Sequence, residues 1–237
     1  MPSLAEHQSA ECTKLLYLGE SGTGKTGSLV SLVAAGYKLR ILDLDNGLDI
    51  LVNYIKRECP DKIKNVDFEG QRDDIKVGPA GPWVPAHKSF ANAMKLMDKW
   101  TDDSKPAEWG PDTILVIDSL SALSIGAFHW AKSLNPTSKD PRQWYAAAQN
   151  AVENVVDKLT NQTMNTNVIV TAHVQYSDAE QGPVKGYAQS VGKAVGPKLM
   201  KYFNTVVQAE TTGFGDKVKR KIRTIPSVTV DLKNSVP

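Results

Sequence analysis

The sequence predicts an α/β fold in which helices flank a mostly parallel central sheet, with antiparallel strands at the C-terminal end. Short apolar segments of strand length alternate with longer segments whose apolar residues recur at helical spacing. The apolar segments are nearly continuous, which is typical of parallel strands that are buried on both faces. Helices should therefore cover both sides of the sheet, with right-handed connections between parallel strands.

Four apolar segments are the predicted parallel strands, and helical patterns lie between them. The strands are 14–18, 40–44, 113–118 and 167–172. The predicted helices are 28–36, which ends on a glycine, a segment from Leu48 to Pro60, then 90–100, 141–159 and 198–203. Asp140, Pro141 and Gln143 have the spacing of an N-cap, a first helical residue and a capping box.

Three intervening stretches lack these patterns and are predicted to be irregular. Residues 61–89 are rich in glycine and proline turns, and we interpret them as a surface excursion. Residues 131–142 and 176–192 are predicted loops. From Asn204 the chain predicts strands joined by turns. We therefore predict an N-terminal arm over residues 1–12 and a single domain over residues 13–237.

Residues 19–26 read Gly-Glu-Ser-Gly-Thr-Gly-Lys-Thr and fit the P-loop pattern G-x-x-x-x-G-K-[ST]. The segment follows a predicted strand and precedes a predicted helix, as the pattern requires. Its backbone N–H groups and the positive end of the helix would bind anionic oxygens. Lys25 would reach the β- and γ-phosphates, and the Thr26 hydroxyl would bind Mg²⁺. The predicted nucleotide-binding residues are Gly19, Glu20, Ser21, Gly22, Thr23, Gly24, Lys25, Thr26 and Gly27.

Carboxylates end two of the predicted strands. Asp118 ends the third strand, where a second magnesium ligand is needed beside the P-loop; the alternative is that it caps the next helix, a role that Ser119 could fill. Asp45 is our candidate for the group that orients and deprotonates water, because Asp43 should point to the opposite face. Both acids could instead cap the helix near Leu48.

His173 follows the fourth predicted strand. A polar side chain there could hydrogen-bond the γ-phosphate or the attacking water and transmit that contact to the next loop. A purely structural role is the alternative.

The order of these segments resembles the core of the RecA family of ATPases. The P-loop carries the resemblance together with 41–49, 114–123 and 168–173. The overall pattern is similar to the small RecA-like ATPases of bacteriophages that are associated with single-strand annealing and recombination. The resemblance implies ATP and Mg²⁺ as cofactors. It also places Asp45 where that family usually has Glu, and His173 where it usually has Gln.

The segment 231–235 resembles the part of that family that donates two cations to the γ-phosphate of a neighbouring subunit. Lys233 matches the first cation, whereas Ser235 occupies the second position. The resemblance thus implies a trans-acting catalytic role for Lys233 and self-association in a ring or filament.

Two loops of the RecA family face single-stranded DNA, and the resemblance assigns that role to 131–142 and 176–192. They hold cations and aromatic residues suited to phosphate contacts and base stacking, although ordinary solvated loops would look similar. The residues are Lys132, Lys139, Arg142, Trp144, Lys185, Tyr187 and Lys193. The basic run 217–223 fits either a nucleic-acid patch or a strand with one charged face.

We therefore expect an ATP-hydrolysing protein that binds single-stranded DNA and supports phage-type recombination or annealing as an oligomer. A single-strand-binding protein is a further partner that the resemblance suggests. The alternatives are a nucleotide-dependent regulatory or scaffold ATPase without DNA binding, a ring helicase motor, and a small-molecule kinase whose lid lies within 61–89.

Composition constrains location and partners. The net charge of +2 means that nucleic-acid contacts must come from local patches. The sequence lacks a membrane-spanning apolar run and a signal pattern, so we expect a cytoplasmic protein, in the host cytoplasm if the source is viral. Cys12 and Cys59 make neither a disulfide framework nor a zinc site.

Overall fold

Seven strands form one central sheet in this computed structural model, which describes residues 11–79, 81–177, 183–213 and 217–234. The strands are β1 (Lys14–Gly19), β2 (Lys38–Asp43), β3 (Val66–Gly70), β6 (Gly110–Asp118), β7 (Thr166–Ala172), β10 (Thr205–Thr212) and β11 (Lys219–Arg223). Their order is β11-β10-β1-β7-β6-β2-β3. Neighbouring strands are parallel except for β10 and β11, which are antiparallel.

Helices cover both faces of this sheet. They are α1 (Lys25–Ser28), α2 (Val30–Ala35), α3 (Asp49–Glu58), α4 (Ser89–Asp98), α5 (Leu120–Leu134), α6 (Pro141–Thr160) and α7 (Gly196–Leu199). Short 3-10 helices occupy Pro60–Asn65, Pro106–Glu108 and Met200–Tyr202. The predicted fold class, a mostly parallel sheet flanked by helices with a C-terminal antiparallel pair, is confirmed.

The core divides into two clusters because successive side chains of a strand point to opposite faces. In β6, Leu115 and Ile117 pack with α4, α5 and α6, whereas Ile114 and Val116 pack with α2 and α3. All four side chains are buried. Burying an aliphatic side chain of this size contributes about 1.5–3 kcal/mol. The two clusters fix the sheet between its helical layers, so the carboxyl ends of β1, β2, β6 and β7 lie at one edge.

A buried lysine joins β1 to the start of β7. The Lys14 ammonium donates to the carbonyl oxygens of Met164, at 2.6 Å, and Thr166, at 2.5 Å. The side chain is almost wholly buried, and desolvation lowers its pKa to about 8. The charge is therefore retained at neutral pH by two carbonyl dipoles rather than by a carboxylate.

The predicted surface excursion 61–89 was wrong in part. β3 lies within it and is the edge strand of the sheet, parallel to β2, while β4 (Ile75–Val77) and β5 (Trp83–Pro85) form a separate hairpin. An edge strand with one solvated side does not need a continuous apolar sequence. Phe68 in β3 is 62% exposed, and Asp67 beside it is exposed as well.

The two predicted loops are shorter than expected. α5 continues to Leu134, and Asp140 is the N-cap of α6, so the first loop is 135–140. Gln143 does not complete a capping box, because its side-chain oxygen accepts from Ser138 and Asn135 instead. The second stretch contains a hairpin of β8 (Val174–Tyr176) and β9 (Gly186–Ala188), and residues 178–182 lie outside the described part.

None of the helices in the described ranges is both long enough and apolar enough to cross a bilayer.

Candidate nucleotide-binding site

The loop 19–26 joins β1 to α1 at the carboxyl edge of the sheet. Gly22 has a φ of 76° and Gly24 a φ of 94°, which is the left-handed region that glycine adopts without strain. The Thr23 hydroxyl donates to the Glu20 carbonyl oxygen at 2.7 Å and closes the turn. The sequence therefore forms a compact loop whose conformation depends on its glycines.

Lys25 begins α1 and folds back over this loop. Its ammonium donates to the carbonyl oxygens of Gly19, at 2.8 Å, and Glu20, at 3.1 Å. Desolvation lowers the pKa of Lys25, while the carboxylates of Asp118, Asp45 and Glu20 oppose that shift. The Lys25 ammonium is thus held against the loop, beside the positions where phosphates would lie.

Thr26 and Asp118 are in direct contact across the edge of the sheet. The Thr26 hydroxyl donates to Asp118 Oδ2 at 2.7 Å, and the Thr171 hydroxyl of β7 donates to Asp118 Oδ1 at 2.5 Å. Asp118 is 2% exposed. It does not cap α5, because the Ser119 hydroxyl accepts from the Ala122 N–H at 3.3 Å. Both oxygens of the carboxylate are thus held in fixed positions.

These donors fit a magnesium ion that is shared with a nucleotide. Within the described residues, no group of three or more His, Cys, Asp or Glu side chains could hold a metal ion by itself. Magnesium commonly takes one or two protein ligands and completes its shell with water and phosphate oxygens. One carboxylate, Asp118, beside one hydroxyl, Thr26, matches that requirement.

The two acids after β2 have different environments. Asp45 is exposed and lines the same cavity as Lys25 and Asp118. Asp43 is buried, and its carboxylate accepts from the N–H groups of Asp45, at 3.1 Å, and Asn46, at 2.8 Å. Burial raises the pKa of Asp43, and these hydrogen bonds act in the opposite direction.

Asp43 therefore holds the turn that presents Asp45. Neither acid caps α3, whose N-cap position is Leu48 and has no side-chain hydrogen bond, so the alternative that both acids cap this helix was wrong. The catalytic role of Asp45 stays a prediction.

His173 lies at the end of β7 and lines the cavity. Its backbone N–H donates to the Ser121 hydroxyl at 3.0 Å, and its backbone carbonyl oxygen accepts from the Gln189 backbone N–H at 2.8 Å. The Ser121 hydroxyl donates in turn to the Gln189 carbonyl oxygen at 3.2 Å. His173 is thus joined through its backbone to α5 and to the residue after β9.

Lys233 lies away from this cavity. Its ammonium donates to the Phe203 carbonyl oxygen at 2.9 Å, and its backbone pairs with Val206 near the start of β10. Ser235, the second position of the predicted trans motif, lies outside the described residues. A role toward a neighbouring subunit stays a prediction.

The cavity has a volume of about 840 Å³, and some of the residues that line it were not predicted from the sequence to be site residues. Tyr54 of α3 packs on the P-loop helix, since a Cβ atom on Gly27 would lie 2.7 Å from its ring. The Arg57 guanidinium lies 4.7 Å from the centre of the Tyr54 ring. From β11, Arg220, Lys221 and Ile222 line the cavity. In the run 217–223 the lysines occupy alternate positions, so Arg220 lies on the face of the strand opposite to them. This alternation could have identified Arg220 from the sequence.

The loop, its lysine and the paired threonine and aspartate, set on a sheet of this order, define a P-loop ATPase with a RecA-like core. A family model described as an AAA domain (AAA_24) matches residues 11–236, and the chain belongs to that family. Among curated proteins, none matches the chain in sequence.

Two solved structures with TM-scores above 0.5 share the fold at low sequence identity. The RadB recombinase is 14% identical with a TM-score of 0.54, covering 90% of this chain and 81% of its own. An ATPase from the type III secretion system of pathogenic bacteria is 14% identical with a TM-score of 0.51, covering 84% and 52%. A KaiC-like protein from Pyrococcus horikoshii OT3 is 12% identical with a TM-score of 0.45, covering 90% and 77%.

Proposed function

We propose that this protein binds and hydrolyses ATP with Mg²⁺, binds single-stranded DNA, and supports phage-type recombination or single-strand annealing as an oligomer. The observation that carries the nucleotide part is the 2.7 Å contact between Thr26 and Asp118 beside the P-loop. Asp45 and His173 line the same cavity, which supports the roles proposed for them toward the attacking water.

Each residue has a defined task in this proposal. The P-loop N–H groups and Lys25 bind the phosphate chain, and Thr26 and Asp118 hold the metal, which would neutralise charge that develops on the phosphates. Asp45 orients the attacking water and accepts its proton. His173 contacts the γ-phosphate or that water. Lys233 of a neighbouring subunit supplies a further cation.

The proposed DNA contacts rest on the hairpin of β8 and β9, which begins directly after His173. Tyr176 is 45% exposed, Tyr187 lies on the facing strand, and Lys185 directly precedes that strand. Aromatic side chains beside cations are suited to base stacking and phosphate contact. The hydrogen bonds of His173 to Ser121 and Gln189 give the nucleotide cavity a direct connection to this hairpin.

Ion pairing favours one alternative, a nucleotide-dependent scaffold without DNA binding. Several cations of the proposed DNA-binding segments already have partners. Arg142 lies 2.9 Å from Asp140, Lys185 lies 2.8 Å from Asp231, and the Lys132 ammonium lies 5.5 Å from the centre of the Trp144 ring. Exposed ion pairs contribute little free energy to folding. The DNA-binding proposal therefore remains compatible with them, because DNA phosphates could replace the carboxylates of Asp140 and Asp231.

An ATPase titration with a single-stranded oligonucleotide tests the proposal and the alternative together. We expect stimulated turnover, and binding that weakens as salt concentration rises. ATP hydrolysis that the oligonucleotide does not stimulate, together with no oligonucleotide binding at low salt, would favour the scaffold function. Strand displacement by the protein would instead indicate a helicase motor.

A further inference from the structure

Strand β11 lies at one edge of the sheet and carries a cation on the face of the P-loop. Its register places Arg220 opposite Thr211 and Ile222 opposite Ala209. Ala209 belongs to the core cluster on the side of α2 and α3, so Arg220 projects from the face that carries the P-loop. Arg220 of β11 therefore lies on the same face of the sheet as the P-loop.

Arg220 is in contact with the P-loop itself. Its Nε donates to the Gly22 carbonyl oxygen over a long 3.4 Å, and its Cδ lies 2.7 Å from where a Cβ of Gly24 would be. The side chain also lines the cavity that contains Lys25 and Asp118. The guanidinium is therefore beside the loop that would hold the phosphate chain.

Two other cations that line the cavity have carboxylate partners. Arg57 lies 2.6 Å from Glu58, and Lys221 lies 3.8 Å from Glu210. Within the described part of the chain, Arg220 has no carboxylate in ion-pair contact. Its weak bond to Gly22 leaves most of its five N–H donors available.

The charge around Lys25 also calls for a second cation. The carboxylates of Asp118, Asp45 and Glu20 all act on Lys25. A triphosphate adds further negative charge at the same place. A guanidinium has a planar set of donors that matches phosphate oxygens and keeps its charge at all relevant pH values.

We propose that Arg220 is a phosphate-binding residue of the same chain, contacting the phosphate chain of the nucleotide in the P-loop. This inference rests on the proposed ATP-binding function. It assigns to the basic run 217–223 a second task besides that of a charged edge strand. Lys221 and Arg223 pair with Glu210, whereas Arg220 serves the nucleotide.

The test compares wild type, Arg220→Ala and Arg220→Lys by titration with fluorescent ATP and Mg²⁺. We expect affinity to fall roughly tenfold or more for Arg220→Ala, because a hydrogen bond to a charged group is lost. Arg220→Lys should fall between, since it keeps the charge without the planar fork. The control is Lys219→Ala, an exposed neighbour in β11 that does not line the cavity.

Thermal unfolding without nucleotide distinguishes a phosphate-binding role of Arg220 from a structural role in which it only stabilises the P-loop. A phosphate contact predicts an unchanged melting temperature for the nucleotide-free protein and a smaller ATP-induced rise in Arg220→Ala. Wild-type affinity in Arg220→Ala, an equal loss in Lys219→Ala, or a loss explained by a less stable nucleotide-free protein would overturn this assignment alone. If Arg220→Ala fails to fold, Arg220→Gln is read in the same way. Failure of the wild type to bind ATP would overturn the proposed function as well.

Discussion

At the scale of single residues, the site is organised around one buried carboxylate. Asp118 receives one hydroxyl from Thr26 and another from Thr171, so both oxygens have fixed directions. Groups that hold a metal-binding carboxylate in place commonly affect metal affinity about 10- to 100-fold. We therefore propose that Thr171 positions Asp118, the proposed magnesium ligand.

Replacement of Thr171 by Val should raise the Mg²⁺ concentration needed for half-maximal ATPase activity by about tenfold. The reason is that Asp118 Oδ1 loses its donor while the side-chain volume is kept. A magnesium titration of the ATPase measures the effect. Thr166→Val is the matched control, because it removes another buried hydroxyl from β7, one that donates to Pro106. Equal shifts in both variants would contradict the positioning role.

Lys25→Ala should abolish ATP binding or turnover, because the ammonium that would contact the β- and γ-phosphates is lost. Equilibrium binding and phosphate release measure the two properties separately. Lys38→Ala, on the exposed start of β2, controls for the loss of a positive charge. Retained ATPase activity in Lys25→Ala would refute the P-loop assignment.

Asp45→Asn should retain ATP binding and lose turnover by about 100-fold or more, as expected for removal of a general base. Asp49→Asn is the control, since Asp49 is exposed, begins α3 and does not line the cavity. Single-turnover measurements report the chemical step. If Asp45→Asn hydrolyses ATP at the wild-type rate, Glu20 becomes the better candidate, because Asp43 is committed to the turn.

At the scale of secondary-structure elements, the sequence predicted those that are buried. β1, β6 and β7 carry continuous apolar runs because both of their faces are covered, and Pro141 and Asp140 marked the start of α6 correctly. β3 and the two hairpins were not predicted, because exposed strands need no such run. The pairing of Thr171 with Asp118 depends on strand order, which no local pattern records.

The junction of β1 and β7 should make stability depend on pH. The pKa of Lys14 is about 8 in the folded protein and near 10.5 when the chain is unfolded, so between these values the unfolded chain holds a proton that the folded chain has released. Stability from this group should therefore rise with pH from about 8 to 10.5, by at most roughly 3 kcal/mol. Urea unfolding of wild type and Lys14→Met over this range measures it. Parallel pH profiles would contradict the prediction.

At the scale of the whole molecule, the two edge strands of the sheet present different surfaces. Phe68 on β3 is 62% exposed, whereas the exposed residues of β11 include Lys219, Arg220 and Lys221. A contact between one edge of a subunit and the opposite edge of the next would be head-to-tail, and such contacts generate rings or filaments. This arrangement supports the proposed self-association.

Phe68→Glu should weaken that self-association by placing a charge on the edge strand. Sedimentation over a range of protein concentrations measures the effect. Leu134→Glu is the control, because Leu134 is similarly exposed but lies at the end of α5, away from both edges. An unchanged association constant in Phe68→Glu would exclude this edge as the contact surface.

The serine at position 121 gives the molecule a mechanical property. One hydroxyl accepts from His173, before β8, and donates to Gln189, after β9, while His173 and Gln189 also bond to each other. Both ends of the hairpin are therefore hydrogen-bonded to the same residue of α5. A shift of the His173 backbone would therefore move both strands of the hairpin together, rather than separating one strand from the other.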